Sequence, residues 1–237
     1  MRALLSLALL AVPAAVQAEP DRTLANKEMR IAVRKFADCI IRRRHDEAAD
    51  VILTDQTNVE IVRRHQRLVN GECLVEPGGG GLEARFPGDT LRYALAEALV
   101  RKDYATGFPP GIPLAAPLAQ READLDSYAP PPGKTLKPKQ LAAFEKRKND
   151  NLAFAFLTRF GECVVRADPT AAHRLLLTAP LSDEEATAFK ALAPKLSGCL
   201  EEKAQIKANK ATIRGTIAHN FYRLAKAPRL PAPGVTH

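Results

Sequence analysis

Two stretches of this chain repeat apolar residues at three- and four-residue steps, the spacing that gathers them on one side of an α-helix. In the first, Met29, Val33, Phe36, Ala37, Ile40 and Ile41 share a face, while Arg34, Lys35, Asp38 and Arg42 occupy the other. In the second, Ala153, Leu157, Phe160, Gly161, Val164 and Val165 form the stripe, widened by Leu152 and Phe156. Three further helical patterns follow each stretch. They are predicted at 46–53, 59–69 and 90–104 after the first, and at 170–177, 183–196 and 211–225 after the second. Asp89 stands where the fourth helix needs an N-cap, and Ser182 with Glu185 three residues on spells a capping box. Pro194 predicts a kink or an early end to its helix, because proline supplies no amide and crowds the preceding turn.

The two sets correspond. A shift of 124 positions lays Phe36-Ala37-Asp38-Cys39-Ile40-Ile41 on Phe160-Gly161-Glu162-Cys163-Val164-Val165, and Val51-Ile52-Leu53-Thr54 on Leu175-Leu176-Leu177-Thr178. At 126 Cys73-Leu74 meets Cys199-Leu200, and at 122 Leu91-Arg92, Ala96 and Arg101 meet Ile213-Arg214, Ala218 and Arg223. Small changes of offset are what loop insertions produce, so the pattern reads as duplication of a unit of about 80–90 residues. The expected fold is therefore all-α: two tandem copies of a roughly four-helix unit, at 19–104 and 138–227, joined by a linker at 105–137. The stretch 107–138 holds eight of the 18 prolines and little helical periodicity, which predicts a semi-extended connection. A disordered tail is expected at 228–237. Glu76-Pro77 followed by four glycines reads as a flexible turn, since it lacks the strand, spacing and Lys of a phosphate-binding loop.

Near the start, Arg2 precedes an apolar stretch from Ala3 to Val16, and Val16-Gln17-Ala18 offers small residues at the −3 and −1 positions of a cleavage site. This predicts a secretory signal peptide at 1–18. A membrane anchor fits less well, because a spanning helix needs about 20 apolar residues and Pro13 interrupts this one. No transmembrane span is expected in the mature chain. Export places Cys39, Cys73, Cys163 and Cys199 in an oxidising space where thiols pair, periplasmic by expectation, with extracellular release as the alternative. Four cysteines allow three connectivities. Pairing within each copy, Cys39–Cys73 and Cys163–Cys199, is the connectivity that gives both copies the same local geometry. There is no Cys-x-x-Cys pair and no short-spaced Cys/His cluster, so neither dithiol redox chemistry nor a metal or cofactor is expected.

Aromatic residues make up 5% of the chain and Trp is absent, so the core must be built mainly from Leu, Ala, Val and Ile. The net charge is +8, and basic groups cluster at 42–45, 63–67 and 146–148. Export and the lack of interleaved aromatics argue against nucleic acid, leaving solvated helix faces with some attraction to an anionic envelope surface. None of the five histidines has a partner at metal-face or catalytic spacing. His219 stands opposite Glu97 in the register of the fourth helices and is expected to be solvated. Arg92 and Arg214 occupy the same place in the first turn of both fourth helices. They are candidate anion-binding residues near helix N-termini, with internal ion pairing as the structural reading favoured over it. Thr54 and Thr178 read as structural. Gly-x-Ser-x-Gly, His-Glu-x-x-His and dinucleotide glycine patterns are absent, and no catalytic residue is nominated.

The run Phe160-Gly161-Glu162-Cys163-Val164-Val165, then Leu176-Leu177-Thr178, Cys199-Leu200 and Ile213-Arg214-Gly215-Thr216-Ile217-Ala218, resembles uncharacterised exported alphaproteobacterial proteins with a duplicated Cys-containing helical unit. The resemblance implies export and an all-helical duplicate, and brings no activity with it. The expected role is binding or structural, toward an anionic envelope component or another envelope protein. The alternative is an envelope hydrolase with its site between the copies.

Overall fold

The two apolar stripes become the two long helices of the computed structural model, which describes residues 27–69, 73, 89–123, 136–200 and 208–229. The expected signal peptide, the Gly-rich turn, 124–135 of the linker and 230–237 of the tail lie outside the described residues. Helix α1 (Lys27–Leu53) turns Phe36, Ala37, Ile40 and Ile41 inward. The short helix expected at 46–53 is joined to it across a bend at Arg44, whose φ/ψ of −141°/42° are not helical. His45 holds this corner, with Nδ1 2.9 Å from Asp46 and Nε2 2.7 Å from Asp103. Next, α2 (Asn58–Arg64) opens on a reciprocal capping box. The Thr57 hydroxyl accepts the Glu60 amide at 3.2 Å, and the Glu60 carboxylate accepts the Thr57 amide at 2.7 Å. The single helix expected at 59–69 breaks at His65 (φ −118°, ψ 52°), and α3 (Gln66–Val69) is a separate turn.

Helix α4 (Thr90–Asp103) follows the disulfide-bonded Cys73 in the described chain. Asp89 precedes it but does not cap it, because its carboxylate accepts Arg92 Nη2 at 2.9 Å instead. The first part of the expected linker lies along the bundle. A 3₁₀ turn at Ile112–Leu114 buries Ile112, Arg166 donates to the carbonyls of Ala115 and Ala116, and the Ala116 amide donates to the Pro228 carbonyl at 2.9 Å. Pro228 and Arg229, assigned to the tail from sequence, are thus tied to this segment, Arg229 forming a β-bridge with Ala115.

Helix α5 (Pro138–Ala167) begins well before its apolar stripe, since Lys, Gln, Glu, Ala and Arg propagate a helix without needing burial. Helix α6 (Pro169–Leu177) starts with proline at its first position and Asp168 accepting the Ala171 amide at 2.8 Å. In α7 (Asp183–Gly198) the Ser182 hydroxyl accepts the Glu185 amide at 3.1 Å. The reciprocal half of the expected box is replaced, because the Glu185 carboxylate accepts the Leu181 amide. Pro194 does not end α7; it and Lys190, whose carbonyl loses its amide partner, are both exposed. The last helix, α8 (Lys210–Lys226), is capped by Asn209, which accepts the Thr212 amide at 2.8 Å.

Packing follows from which helices are enclosed. α1 lies along α4, α5 along α8, and α4 and α8 cross in the middle. Every residue of α8 from Arg214 to Ala225 is buried, which is possible only for a helix surrounded on all sides. The crossing is close: a Cβ on Gly215 would stand 2.5 Å from Tyr93 Cβ and Cγ. Ile40, Leu95, Val164 and Phe221 belong to one contiguous core, so both halves of the chain share it. The bridges are Cys39–Cys73 and Cys163–Cys199, with Cα separations of 5.7 and 5.8 Å and sequence separations of 34 and 36. The fold is all-α, and among the described residues there is no strand.

Candidate functional site

Arg214 and Arg92 sit where α8 and α4 begin, and both are 0% exposed. Arg214 places all five of its N–H donors. Nε donates to Glu97 at 2.8 Å, Nη1 to the Thr178 hydroxyl at 2.8 Å and to Glu185 at 3.0 Å, and Nη2 to the carbonyls of Leu176 and Thr178, each at 3.0 Å. Burial works to lower the pKa of this guanidinium, and the facing Glu97 and Glu185 outweigh it and raise the pKa. Glu185 also receives a fork from Arg30, at 2.9 and 3.4 Å. Burial works to raise its pKa, and Arg30, the Leu181 amide and Arg214 together hold it below the ordinary value. Arg92 donates from Nη1 to Asp55 at 3.2 Å and from Nη2 to Asp89, and its guanidinium lies 4.3 Å from the centre of the Phe154 ring. Its backbone amide donates to Asn58. The two sequence-nominated arginines are therefore internal braces, with their charge already matched.

His219 is the clear departure from expectation. It is wholly buried, with Nε2 3.3 Å from Asp55 and neither ring nitrogen in hydrogen-bond geometry. Burial is the main cause of a pKa pulled down to about 4, Arg92 and Arg223 add to it, and Asp55 opposes it. The imidazole is neutral at pH 7. Asp55, at a left-handed φ of 53° in the turn after α1, is pushed up by burial and held down more strongly by His219, Arg223 and Arg92. The sequence register showed His219 standing where the first copy has Glu97, but not that α8 would be enclosed.

The remaining nominated groups are placed more simply. The Thr54 hydroxyl donates to the Asp50 carbonyl, and that of Thr178 to the Leu175 carbonyl. His65 meets Glu47 at 3.1 Å, and His173 lies 2.7 Å from the Tyr104 carbonyl oxygen. Arg42, Arg43, Arg63, Arg64 and the run 146–148 are exposed. Among the described residues no group of three His, Cys, Asp or Glu is placed to hold a metal.

Outside the buried layer, the first turns of α4 and α8 and the loop before α7 frame a cleft against α1. It encloses about 450 Å³, its open mouth included. Val33, Ala94, Pro180 and Ala211 supply apolar lining, while Arg30, Arg34, Arg101 and Glu97 supply charge. Arg101 Nη2 donates to Asp38 at 2.6 Å. Its buried Nη1 stands 3.6 Å from Glu97 and makes no hydrogen bond. Arg34 Nη1 donates to the Thr178 carbonyl at 3.0 Å, and its Nε is 3.9 Å from Asp38. The pKa of Arg34 is lowered, first by burial and then by the charge of Arg101, with Asp38 opposing and Arg214 adding to the effect. Neither Arg34 nor Arg101 was nominated from sequence. Arg34 lay on the polar face of α1 and Arg101 in the repeat register, and only the packing of α1 on α4 brings them together. No family model, curated protein or solved structure matches this chain.

Proposed function

We propose that this is an exported, disulfide-braced helical protein of the cell envelope, built from two copies of one unit and acting by binding rather than hydrolysis. The observation that carries the reading is the pair of bridges, Cys39–Cys73 and Cys163–Cys199, each fixing a long helix to the segment that precedes its central helix. Such bonds persist in oxidising compartments, and the leader-like start of the chain agrees with export to the periplasm.

The duplication is supported by contacts between matching positions. Tyr93 and Gly215 share a place in the repeat register, and they meet each other where α4 crosses α8. Glu97 and His219 also share a place, and each reaches across to the other half: Glu97 to Arg214, His219 to the Asp55 that pairs with Arg92. Exchange of this kind is what an approximate twofold relation between two copies produces. Binding is favoured over hydrolysis because Ser182 is engaged as a helix cap and the His219–Asp55 pair is buried in the interior, away from the cleft lining.

Expression of the full chain in a didermic bacterium, osmotic-shock fractionation and N-terminal sequencing test this reading. A periplasmic chain starting at Glu19 with no titratable thiol is expected. A cytoplasmic chain with free thiols overturns it.

A further inference from the structure

Resting on the reading that the protein acts by binding, we infer that the cleft between α1, α4 and the start of α8 is a site for one small oxyanion group, a carboxylate or a phosphate, held by Arg34 and Arg101. Three features of the cleft converge on this chemistry.

The first is charge. Among the described residues, Arg30, Arg34, Arg101 and Arg214 pair with the three carboxylates Asp38, Glu97 and Glu185. Glu185 is shared by Arg30 and Arg214, Glu97 by Arg214 and Arg101, and Asp38 by Arg34 and Arg101. These four guanidiniums and three carboxylates leave one positive charge in excess. Glu97, the carboxylate in the lining, is held by Arg214 at 2.8 Å and stands 3.6 Å from Arg101 Nη1.

The second is the backbone. Thr90 opens α4 and Ala211 lies in the first turn of α8, and both line the cleft. Helix N-termini carry partial positive charge and amides without intrahelical partners. Asp89 does not cap α4, being turned to Arg92; Asn58 takes the Arg92 amide and Asn209 the Thr212 amide, so what these helix starts add is the partial positive charge of their first turns.

The third is an unmet donor and its surroundings. Arg101 Nη1 is buried and makes no hydrogen bond, and the apolar lining of Val33, Ala94 and Pro180 strengthens any charge interaction made beside it.

Calorimetric titration of the oxidised mature chain tests the site, using inorganic phosphate and succinate at ionic strength matched with sodium chloride. Sedimentation with phosphatidylglycerol vesicles separates a free anion from a lipid headgroup. Saturable single-site binding of at least one soluble anion is expected. Arg34→Glu and Arg34→Ala should weaken it by about tenfold or more, the size expected for losing a charged hydrogen bond. Arg34→Lys should retain part of the affinity, and Arg147→Glu, the same charge change on the exposed start of α5, should retain all of it. Melting curves of each variant confirm that the fold is kept. The inference is overturned by heats no larger than those of sodium chloride, by equal losses in Arg34→Glu and Arg147→Glu, or by vesicle binding without any response to soluble anions. Export with both bridges intact but blank titrations would remove only the ligand class, whereas saturable binding by a chain retained in the cytoplasm would remove only the envelope assignment.

Discussion

Arg214 shows what a fully satisfied buried charge costs to disturb. Its five donors are shared among two carboxylates, a hydroxyl and two carbonyls, so Arg214→Ala leaves Glu97 without its hydrogen-bonded partner, removes one of the three donor groups on Glu185, and strands the Leu176 and Thr178 carbonyls inside the protein. Removing one side of such a network costs roughly 3–5 kcal/mol, because the charges left behind are desolvated and unpaired. Urea denaturation should show that loss, and a change below about 1 kcal/mol would contradict the bracing role. His219 makes a prediction in pH. An unfolded histidine takes up its proton near 6.5, and the folded one resists until about pH 4. The native state therefore loses stability relative to the unfolded chain as pH falls from 6.5 to 4, by on the order of 3 kcal/mol. The lowered Asp55 and Glu185 act in the same direction, giving up their contributions as pH falls below the ordinary carboxylate range through their folded pKa values. Urea midpoints measured between pH 7 and 4.5 should fall steeply in the parent and less steeply in His219→Asn. Equal slopes would show that the imidazole is not held neutral. The sequence register marked this position as asymmetric, yet burial of a histidine is set by the helices around it, and those are distant in the chain.

At the scale of elements, the apolar stripes located the helical core correctly, because Phe36, Ile40, Phe160 and Val164 must face inward whatever else happens. The stripes are silent where helix formation does not depend on burial, as in the exposed start of α5, and where one residue bends the chain without changing the pattern, as at Arg44 and His65. They also say little about the two central helices, whose buried surface runs all the way round. Gly215 is the most consequential residue there. A Gly→Ala change inside a helix ordinarily gains about 1 kcal/mol through propensity. Here the new Cβ would lie 2.5 Å from Tyr93 Cβ, an atom next to the backbone that no rotamer change can move aside. α4 and α8 would have to separate and loosen the core between them, a cost of roughly 1–3 kcal/mol or more that exceeds the propensity gain. Gly215→Ala should lower the melting midpoint, and a raised midpoint would mean the crossing is looser than the structure has it.

For the whole molecule, the question is what joins the halves. The sequence described two units and a connection but not whether the units meet, since an apolar residue facing its own unit and one facing the other look alike in a periodicity. The structure buries α4 against α8 in one core and adds polar ties across it: Arg30 to Glu185, Glu97 to Arg214, and the Tyr222 hydroxyl to Asp103 at 2.8 Å. Each disulfide, by contrast, lies within one half, so the backbone through 105–137 is their only covalent link. A shared core of this kind should hold without that link, because the interface resembles a domain interior rather than a contact between separate domains. The check is a protease site introduced within 124–135 and cut under native conditions. Non-reducing denaturing gels should then show two fragments, while gel filtration at neutral pH should show one species eluting with the uncut protein. Arg214→Ala, which removes a tie crossing the interface, should bring the cut halves apart at lower urea than the parent. Separation of the parent fragments in buffer alone would mean that the connection, and not the α4–α8 crossing, holds the two halves together.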